Sequence, residues 1–279
     1  MPNAVQAVFL GVVQGLTEFL PVSSSAHLIL ARLFLGFDQA QFGLPFDVAV
    51  HVGTLAAVLV YFRRDMARLA AAAVRVIRGG VVGSTAGYRL DVEVRTLWLL
   101  VVGTIPVAIV GAFFGDAIEA VRSPQVVVAT LTLGAGAFFA VERVGQRQRS
   151  VDSLSVLDVW WIGCAQAVSL IPGVSRSGAT MTVAMLLGLG RPDAARFAFL
   201  LGVPAISGAA VKKVFDLGPQ DVGPDTATLF LVGVATSAVV GYLAIRFFIR
   251  YLAKHSLDVF GWYRIALAAT VVLWLWRGE

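Results

Sequence analysis

Charged side chains are scarce in this sequence. Of its 279 residues only 14% are charged, 58% are hydrophobic, and the mean hydropathy is +0.83. A soluble domain carries about 25% charged residues, so this chain has too few to cover a globule in water. The composition therefore predicts a membrane protein and excludes a disordered chain. The net charge of +5 is then expected to mark cytoplasmic loops instead of a nucleic-acid-binding surface.

Cysteine is almost absent as well. Cys164 is the only one, which excludes a disulfide framework and a Cys-based zinc site. Walker, Rossmann, HExxH and CxxC patterns do not occur in the sequence. Candidate catalytic or binding residues therefore have to be identified without a cysteine cluster or one of these motifs.

Long apolar stretches are what the sequence has instead. A helix needs about 20 mostly apolar residues to cross a bilayer, and six stretches meet that requirement, at about 46–62, 97–115, 124–142, 197–215, 227–249 and 260–276. They predict an all-α polytopic membrane protein with one integral membrane domain over 1–279.

Two further apolar regions, at about 4–36 and 158–190, are interrupted by polar, helix-breaking clusters. The first cluster is PVSSSAH at 21–27 and the second is PGVSRSGAT at 172–180. Each half is too short to cross the bilayer. Irregular backbone at membrane depth is tolerated only under a cover of protein or beside a water-filled cavity. We therefore expect two re-entrant helix–loop–helix hairpins.

The distribution of Lys and Arg predicts the orientation. If the loop after the first span is cytoplasmic, 15 of the 22 basic residues lie on the cytoplasmic side and 4 on the other side. Cytoplasmic loops carry an excess of Lys and Arg, so both termini are expected outside.

The two interrupted regions resemble each other. QGLTEFLPVSSSAH begins at Gln14 and QAVSLIPGVSRSGAT begins at Gln166, and the segments that follow them also match. Each copy holds one hairpin and three spans, with repeat 1 at about 1–145 and repeat 2 at about 155–279. Because three is odd, the second copy would be inverted in the membrane. The hairpin tips would then meet near the midplane, as in transporters with inverted repeats.

The tips are expected to form an anion site. Serines that can cap the second half-helix of each hairpin follow the breaking prolines; they are Ser23 or Ser24 in the first tip and Ser175 and Ser177 in the second. Two helix N-termini would point free N–H groups into one pocket, which favours an anion. Arg176 adds a planar cation suited to phosphate oxygens, and Thr180 shares its helical face. The alternative is a structural arginine bonded to carbonyl groups.

Acidic and basic side chains accompany these tips. Gln14 and Glu18 are four residues apart and share one helical face. We expect them to ligate a hard divalent cation, or Glu18 to orient a catalytic group; the alternative is a Glu18–Arg176 ion pair that only joins the hairpins. His27 lies at helical spacing from two tip serines and is expected to exchange a proton with a serine hydroxyl or a leaving oxygen. A core histidine is its alternative.

The charges of these groups favour a diphosphate. A diphosphate carries roughly three negative charges, whereas Arg176, a protonated His27 and one divalent cation supply about four positive charges and Glu18 removes one. A monophosphate or a carboxylate would be over-compensated. Three other residues are interpreted as non-catalytic. His51 is expected to bond a neighbouring carbonyl; the alternative is that its side chain faces the pocket. Arg32 and Arg264 are expected to bind lipid headgroups or to extend to the membrane interface.

Two patterns in the sequence resemble those of a known family. The pattern E/Q-x-x-x-E followed by PVSS-x-x-H, here Gln14 to His27, and the pattern PG-x-SRS-x-x-T, here Pro172 to Thr180, are similar to those of the undecaprenyl-pyrophosphate phosphatases of bacterial inner membranes, also called bacitracin-resistance proteins. The resemblance covers essentially the whole chain. It departs from the commonest form in opening with Gln14 instead of a glutamate.

The resemblance implies hydrolysis of undecaprenyl pyrophosphate with a divalent cation, Mg²⁺ or Ca²⁺. That reaction recycles the lipid carrier of peptidoglycan synthesis and gives bacitracin resistance. Glu18, Arg176, His27 and Ser24 are then expected to be catalytic, with Ser24 as nucleophile or as the group that positions water. The expected substrate-binding residues are Ser23, Ser25, Ser175, Ser177 and Thr180. A transporter or flippase of an anionic isoprenoid lipid or of phosphate is the alternative function.

The expected location is the bacterial inner membrane, with the active site open to the periplasm. The partners are the lipid substrate and the bilayer, and no nucleic acid is expected. The oligomeric state, including a homodimer, stays open.

Overall fold

The structure is a computed structural model that describes residues 3–78, 88–216 and 224–278. The described chain is helical, and the one β contact in it is an isolated bridge between Arg149 and Leu189. The helices are α1 (Asn3–Phe19), α2 (Ser24–Leu35), α3 (Gln39–Phe42), α4 (Leu44–Tyr61), α5 (Arg63–Ile77), α6 (Tyr88–Phe113), α7 (Gly115–Ala120), α8 (Pro124–Val144), α9 (Val156–Val168), α10 (Arg176–Leu186), α11 (Arg191–Asp216), α12 (Pro224–Leu252) and α13 (Asp258–Trp276).

Six helices of the described chain are long and apolar enough to cross a membrane, and they match the six predicted spans one to one. They are α4, α6, α8, α11, α12 and α13. The all-α polytopic fold is therefore confirmed. The largest differences are at the starts of α6 and α11, which begin at Tyr88 and Arg191 instead of about 97 and 197. Arg191 is held there by Glu142, whose Oε1 accepts from Nε at 2.8 Å, a contact that hydropathy does not register.

The segment after the first span, predicted as a loop, contains α5. This helix is amphipathic: Arg64 and Arg68 are exposed, whereas Ala72 is fully buried. A three-to-four-residue spacing of its small and apolar residues therefore directs one face toward the spans.

Each interrupted region forms a helix, a break and a second helix. The breaks separate α1 from α2 and α9 from α10, and in both the second helix is capped by a serine: Ser23 Oγ accepts from the N–H of Ala26 at 3.4 Å, and Ser175 Oγ accepts from the N–H of Gly178 at 3.2 Å. Both caps have a positive φ, 73° and 72°. A non-glycine residue adopts this conformation only where surrounding contacts impose it. The two tips thus have the same backbone turn.

The packing of the half-helices is compatible with the predicted inverted repeat, which stays a prediction together with the re-entrant position of the hairpins. α1 packs on α12, and its counterpart α9 packs on α6. Gly11 and Gly163 are separated by the same offset as Gln14 and Gln166. A Cβ at Gly163 would lie 2.5 Å from the carbonyl oxygen of Gly103, so only glycine allows this approach of α9 to α6.

We predict that Gly163→Ala destabilises the protein by about 1–3 kcal/mol, because the added methyl group would overlap rigid backbone of α6. The matched control is Gly136→Ala on α8, where a Cβ would meet nothing within 4 Å. The measurement is the thermal unfolding midpoint of the purified protein in detergent. Equal midpoints for the two variants would contradict the close α6–α9 packing.

Candidate active site

The two hairpin tips meet inside the molecule. The backbone N–H of Gly173 in the second tip donates to Ser25 Oγ in the first tip at 3.3 Å. Arg176, at the start of α10, forms an ion pair with Glu18 near the end of α1. The predicted meeting of the two tips, and of Glu18 with Arg176, is therefore present in the structure, whereas His27, which was expected beside them, is not part of the cavity lining.

Glu18 is the centre of this site. Its Oε2 accepts from Gln14 Nε2 at 2.9 Å and from Ser24 Oγ at 2.7 Å, while Oε1 faces Arg176. His51 Nε2 lies 3.4 Å from the same Oε2. The carboxylate is thus surrounded by donors on both oxygens, as a buried negative charge requires.

Glu18 and Arg176 also face a cavity of about 320 Å³. The Arg176 side chain is 22% exposed, against 4% for Glu18, so the arginine presents most of the polar surface of the pair. The other predicted site residues that line the cavity are Ser23, Ser24, Ser25 and Ser175. The Glu18–Arg176 ion pair, which was the alternative to a catalytic or metal-binding role for Glu18, is therefore present, and it forms part of the cavity wall.

Three of the predicted site residues lie behind this wall. Gln14 contacts Glu18 from the side of α1 and is fully buried. Thr180 is buried and donates to the carbonyl of Arg176 at 2.7 Å. Ser177 Oγ lies 3.3 Å from Ser175 Oγ. Their contacts stabilise the tip and α1, and none of the three lines the cavity.

His27 also lies outside the cavity lining. Its Nδ1 is 2.7 Å from the carbonyl of Ser23, and its Nε2 is 2.7 Å from the hydroxyl of Tyr263. The predicted contact with a serine hydroxyl is wrong in this arrangement, because α2 begins at Ser24 and directs the His27 ring toward α13. Of the two serines that were expected to contact it, Ser24 donates to Glu18 instead, and Ser23 contacts the ring only through its carbonyl.

His51 lies closer to the site than its predicted role as a structural residue implied. Its Nδ1 bonds the carbonyl of Asp47 at 2.6 Å, as expected, but its Nε2 points at Glu18 and the ring lines the cavity. The ring does both because these contacts lie at opposite ends of the imidazole. In the sequence, only its position one helical turn after Asp47 could have indicated that His51 lies at the cavity.

Arg32 is not at a lipid interface, contrary to expectation. It is buried and pairs with Asp47 through two bonds of 2.5 and 2.9 Å. Arg122, from the turn before α8, approaches the same carboxylate at 3.3 Å and lines the cavity. Arg122, one of the four basic residues predicted to lie on the outer side, is therefore a second cation at the site.

Arg264 is likewise buried instead of reaching lipid. Its guanidinium donates to backbone carbonyls of α8 and of both tips, including Pro21 at 3.3 Å and Gly173 at 3.0 Å. The burial of a charge among carbonyl oxygens is tolerable because every donor has a partner.

The residues at Glu18 fit a divalent cation only as a partial ligand set. In the described ranges there is no group of three or more His, Cys, Asp and Glu that could hold a metal ion. Gln14 Oε1, however, is buried and has no hydrogen-bond partner, and it lies on the residue that contacts Glu18. These are hard oxygen ligands, and Mg²⁺ commonly takes its remaining ligands from phosphate and water.

The fold and this site define a multi-pass membrane protein with a cavity lined by paired charges between two broken helices. A family model described as bacitracin resistance protein BacA matches residues 7–270, and the chain belongs to that family. It is similar to the undecaprenyl-diphosphatase of Rubrobacter xylanophilus, with 49% identity over 97% of this chain and 98% of that protein. Proteins of the same name from Moorella thermoacetica and Geobacter metallireducens are 45% and 40% identical, over 98% and 99% of both chains.

We predict that Asp47→Asn destabilises the protein by about 3–5 kcal/mol, because it leaves the buried Arg32 without a negative partner. Asp65→Asn is the matched control, since Asp65 pairs with the half-exposed Arg196 and should change stability by less than about 1 kcal/mol. Thermal unfolding in detergent measures both. A shift for Asp47→Asn no larger than the control would show that the pair is not needed at the cavity wall.

Proposed function

We propose that this protein hydrolyses undecaprenyl pyrophosphate to undecaprenyl phosphate and inorganic phosphate. The reaction would recycle the lipid carrier of peptidoglycan synthesis and give bacitracin resistance. The observation that carries the proposal is the meeting of Glu18, Ser24 and Arg176 at one cavity between two helix N-termini. The names of the relatives support the same activity.

The diphosphate is bound at the tips. Arg176 offers its guanidinium, and the first turns of α2 and α10 offer N–H groups that have no partner within their own helices. Charge that develops on the phosphoryl oxygens in the transition state is stabilised by the same donors. The arginine fork matches the geometry of phosphate oxygens better than an ammonium group would.

Ser24 and Glu18 are placed to carry the chemical step. Ser24 Oγ donates to Glu18 Oε2 at 2.7 Å, so the carboxylate can accept the hydroxyl proton, or that of a water that Ser24 positions. The attacking oxygen bonds to the terminal phosphorus. The bond from that phosphorus to the bridging oxygen then breaks, and undecaprenyl phosphate leaves. Attack by water gives inorganic phosphate directly, whereas attack by Ser24 gives a phosphoserine, which water then hydrolyses to inorganic phosphate and the free hydroxyl. In this proposal Glu18, not His27, is the proton acceptor next to the nucleophile.

Arg122 supplies the positive charge that was assigned to His27. It faces the cavity, whereas the charge of its neighbour Asp47 is already matched by Arg32. Arg176, Arg122 and one divalent cation give about four positive charges, and Glu18 removes one, so a diphosphate of about three negative charges is again balanced. Glu119 lies at the exposed rim of the cavity, where water screens its charge.

A divalent cation, Mg²⁺ or Ca²⁺, is part of the proposal. Glu18 would hold it together with Gln14, whose amide would have to turn over, because Nε2 and not Oε1 now faces the carboxylate. When bound, the cation would neutralise phosphate charge. The protein residues themselves bind the diphosphate, accept the proton and orient the attacking oxygen.

The proposed location is the bacterial inner membrane, with the cavity open to the periplasm. The rim is formed by the start of α4, by α7 and by the turn before α8, which the Lys and Arg distribution predicts to be outside. A transporter has similar broken helices, but the names of the relatives favour hydrolysis. A homodimer stays a proposal.

We predict that the purified protein in detergent releases inorganic phosphate from undecaprenyl pyrophosphate. Hydrolysis needs no second compartment, whereas transport does, so this assay separates the two functions. A chelator should lower the rate at least tenfold, and Mg²⁺ or Ca²⁺ should restore it. No phosphate release with added cation would contradict the proposed function, and a rate unaffected by the chelator would contradict the cation alone.

We predict that Arg176→Lys lowers kcat/KM at least 100-fold, because a point charge cannot replace the bidentate fork. Arg143→Lys is the control: Arg143 is exposed, lies on α8 and bonds only a carbonyl of its own helix, that of Phe139. The phosphate-release assay in detergent gives both values. Turnover within threefold of the unmodified protein for Arg176→Lys would overturn the assigned role.

A further inference from the structure

One guanidinium bonds both hairpin tips from the side away from the cavity. Arg264 Nη1 donates to the carbonyls of Pro21 at 3.3 Å and Val174 at 3.2 Å, and Nη2 donates to that of Gly173 at 3.0 Å. Its remaining bonds go to carbonyls of α8, from Nε to Leu131 and from Nη2 to Thr130. The first tip, the second tip and α8 are therefore joined at a single residue of α13.

The helix opposite leaves room for this group. A Cβ at Gly134 on α8 would lie 2.2 Å from Arg264 Nη2, so any other residue would displace the guanidinium. The ring of Phe138, one turn further along α8, lies 5.3 Å from Arg264 Cζ. Because the group is fixed on both sides, its position cannot adjust freely.

The residue before Arg264 acts on the first tip through His27. The Tyr263 hydroxyl is 2.7 Å from His27 Nε2, and the two rings are stacked. His27 Nδ1 is 2.7 Å from the carbonyl of Ser23. Nδ1 can only donate to a carbonyl, so the neutral ring carries its proton there and Nε2 accepts from the phenol. The phenol thus fixes the tautomer that bonds the Ser23 carbonyl.

These bonds determine where the tip N–H groups point. In a planar trans peptide the C=O of one residue and the N–H of the next point in opposite directions. The carbonyl of Ser23 accepts from the ring of His27 at 2.7 Å and from its backbone N–H at 3.3 Å, and the carbonyl of Val174 accepts from Arg264. The N–H groups of Ser24 and Ser175 therefore point the other way, and both of these serines line the cavity.

We propose that Tyr263 and Arg264, together the α13 clamp, are positioning residues that hold the tip carbonyls on one side and thereby direct the N–H groups of Ser24 and Ser175 at the diphosphate. His27 belongs to the same device as the link between Tyr263 and Ser23. The proposal rests on the proposed hydrolysis and assigns no proton transfer to His27.

The clamp is tested by moving the guanidinium without removing it. Gly134→Ala should lower kcat about tenfold or more with KM within threefold, because donors displaced by a fraction of an ångström lose transition-state stabilisation first. Gly136→Ala, two residues away on the same helix and with open space around it, is the control and should retain normal kcat. Equal kcat for the two variants would overturn the role of Arg264.

The His27 link is tested by a pair of substitutions. His27→Asn keeps a donor for the Ser23 carbonyl but cannot exchange protons at neutral pH, and it should retain at least ten times the kcat of His27→Leu. Equal loss in both variants would show that His27 transfers protons and would overturn the proposal. Tyr263→Phe should lower kcat three- to tenfold, whereas Tyr251→Phe, whose ring packs against His255 and Phe260 far along the chain from the tips, is the control.

A measurement independent of activity separates this inference from the proposed function. Hydrogen–deuterium exchange of peptides covering 20–26 and 171–178 should be faster in Gly134→Ala than in Gly136→Ala, because the tip backbone loses its fixed partners. Unchanged exchange would overturn the clamp even in an active enzyme. Unmodified protein that releases no phosphate would instead overturn the hydrolysis, and faster exchange in Gly134→Ala would then still support the clamp as the element that fixes the tips.

Discussion

Broken backbone at membrane depth has to find hydrogen-bond partners inside the protein, because the bilayer offers none. In this molecule Arg264 donates to carbonyls in both breaks, Pro21 after α1 and Gly173 after α9, and the residues that begin α2 and α10, Ser24 and Arg176, line the cavity. The same constraint therefore creates both the stability of the tips and the donors for an anion. The cavity with its hydrogen-bond donors thus follows from the way in which the backbone groups at two helix breaks are hydrogen-bonded.

The buried charges are matched in two different ways. Glu18 and Asp47 each pair with an arginine and accept further bonds, whereas Arg264 is surrounded by neutral carbonyls. A carboxylate opposite Arg264 would have been a competing partner for the tip backbone. Because Arg264 bonds only carbonyls, its guanidinium is committed to the tips and α8, and Arg176 and Arg122 are the arginines that line the cavity.

The sequence predicts the parts of this structure that depend on neighbouring residues. Apolar length gives all six spans, proline and serine give both breaks and their caps, and spacing gives the shared face of Gln14 and Glu18. Contacts between residues that are far apart in the sequence could not be predicted in this way. The direction of the His27 ring and the burial of Arg264 depend on α13, which is more than 200 residues from the first tip. Such distances leave no periodic signal, so a buried arginine and a lipid-facing one have similar local sequences.

The two tips share a backbone turn but differ in what they carry. At the offset that relates Gln14 to Gln166, Arg176 stands where the first copy has Ser24, and Leu170 stands where it has Glu18. Two copies of the first half would bring two glutamates face to face in the buried site, and two copies of the second would bring two arginines. Like charges in that setting repel strongly. In the predicted repeat the two halves are thus complementary in charge, and the Glu18–Arg176 pair forms only where both are present.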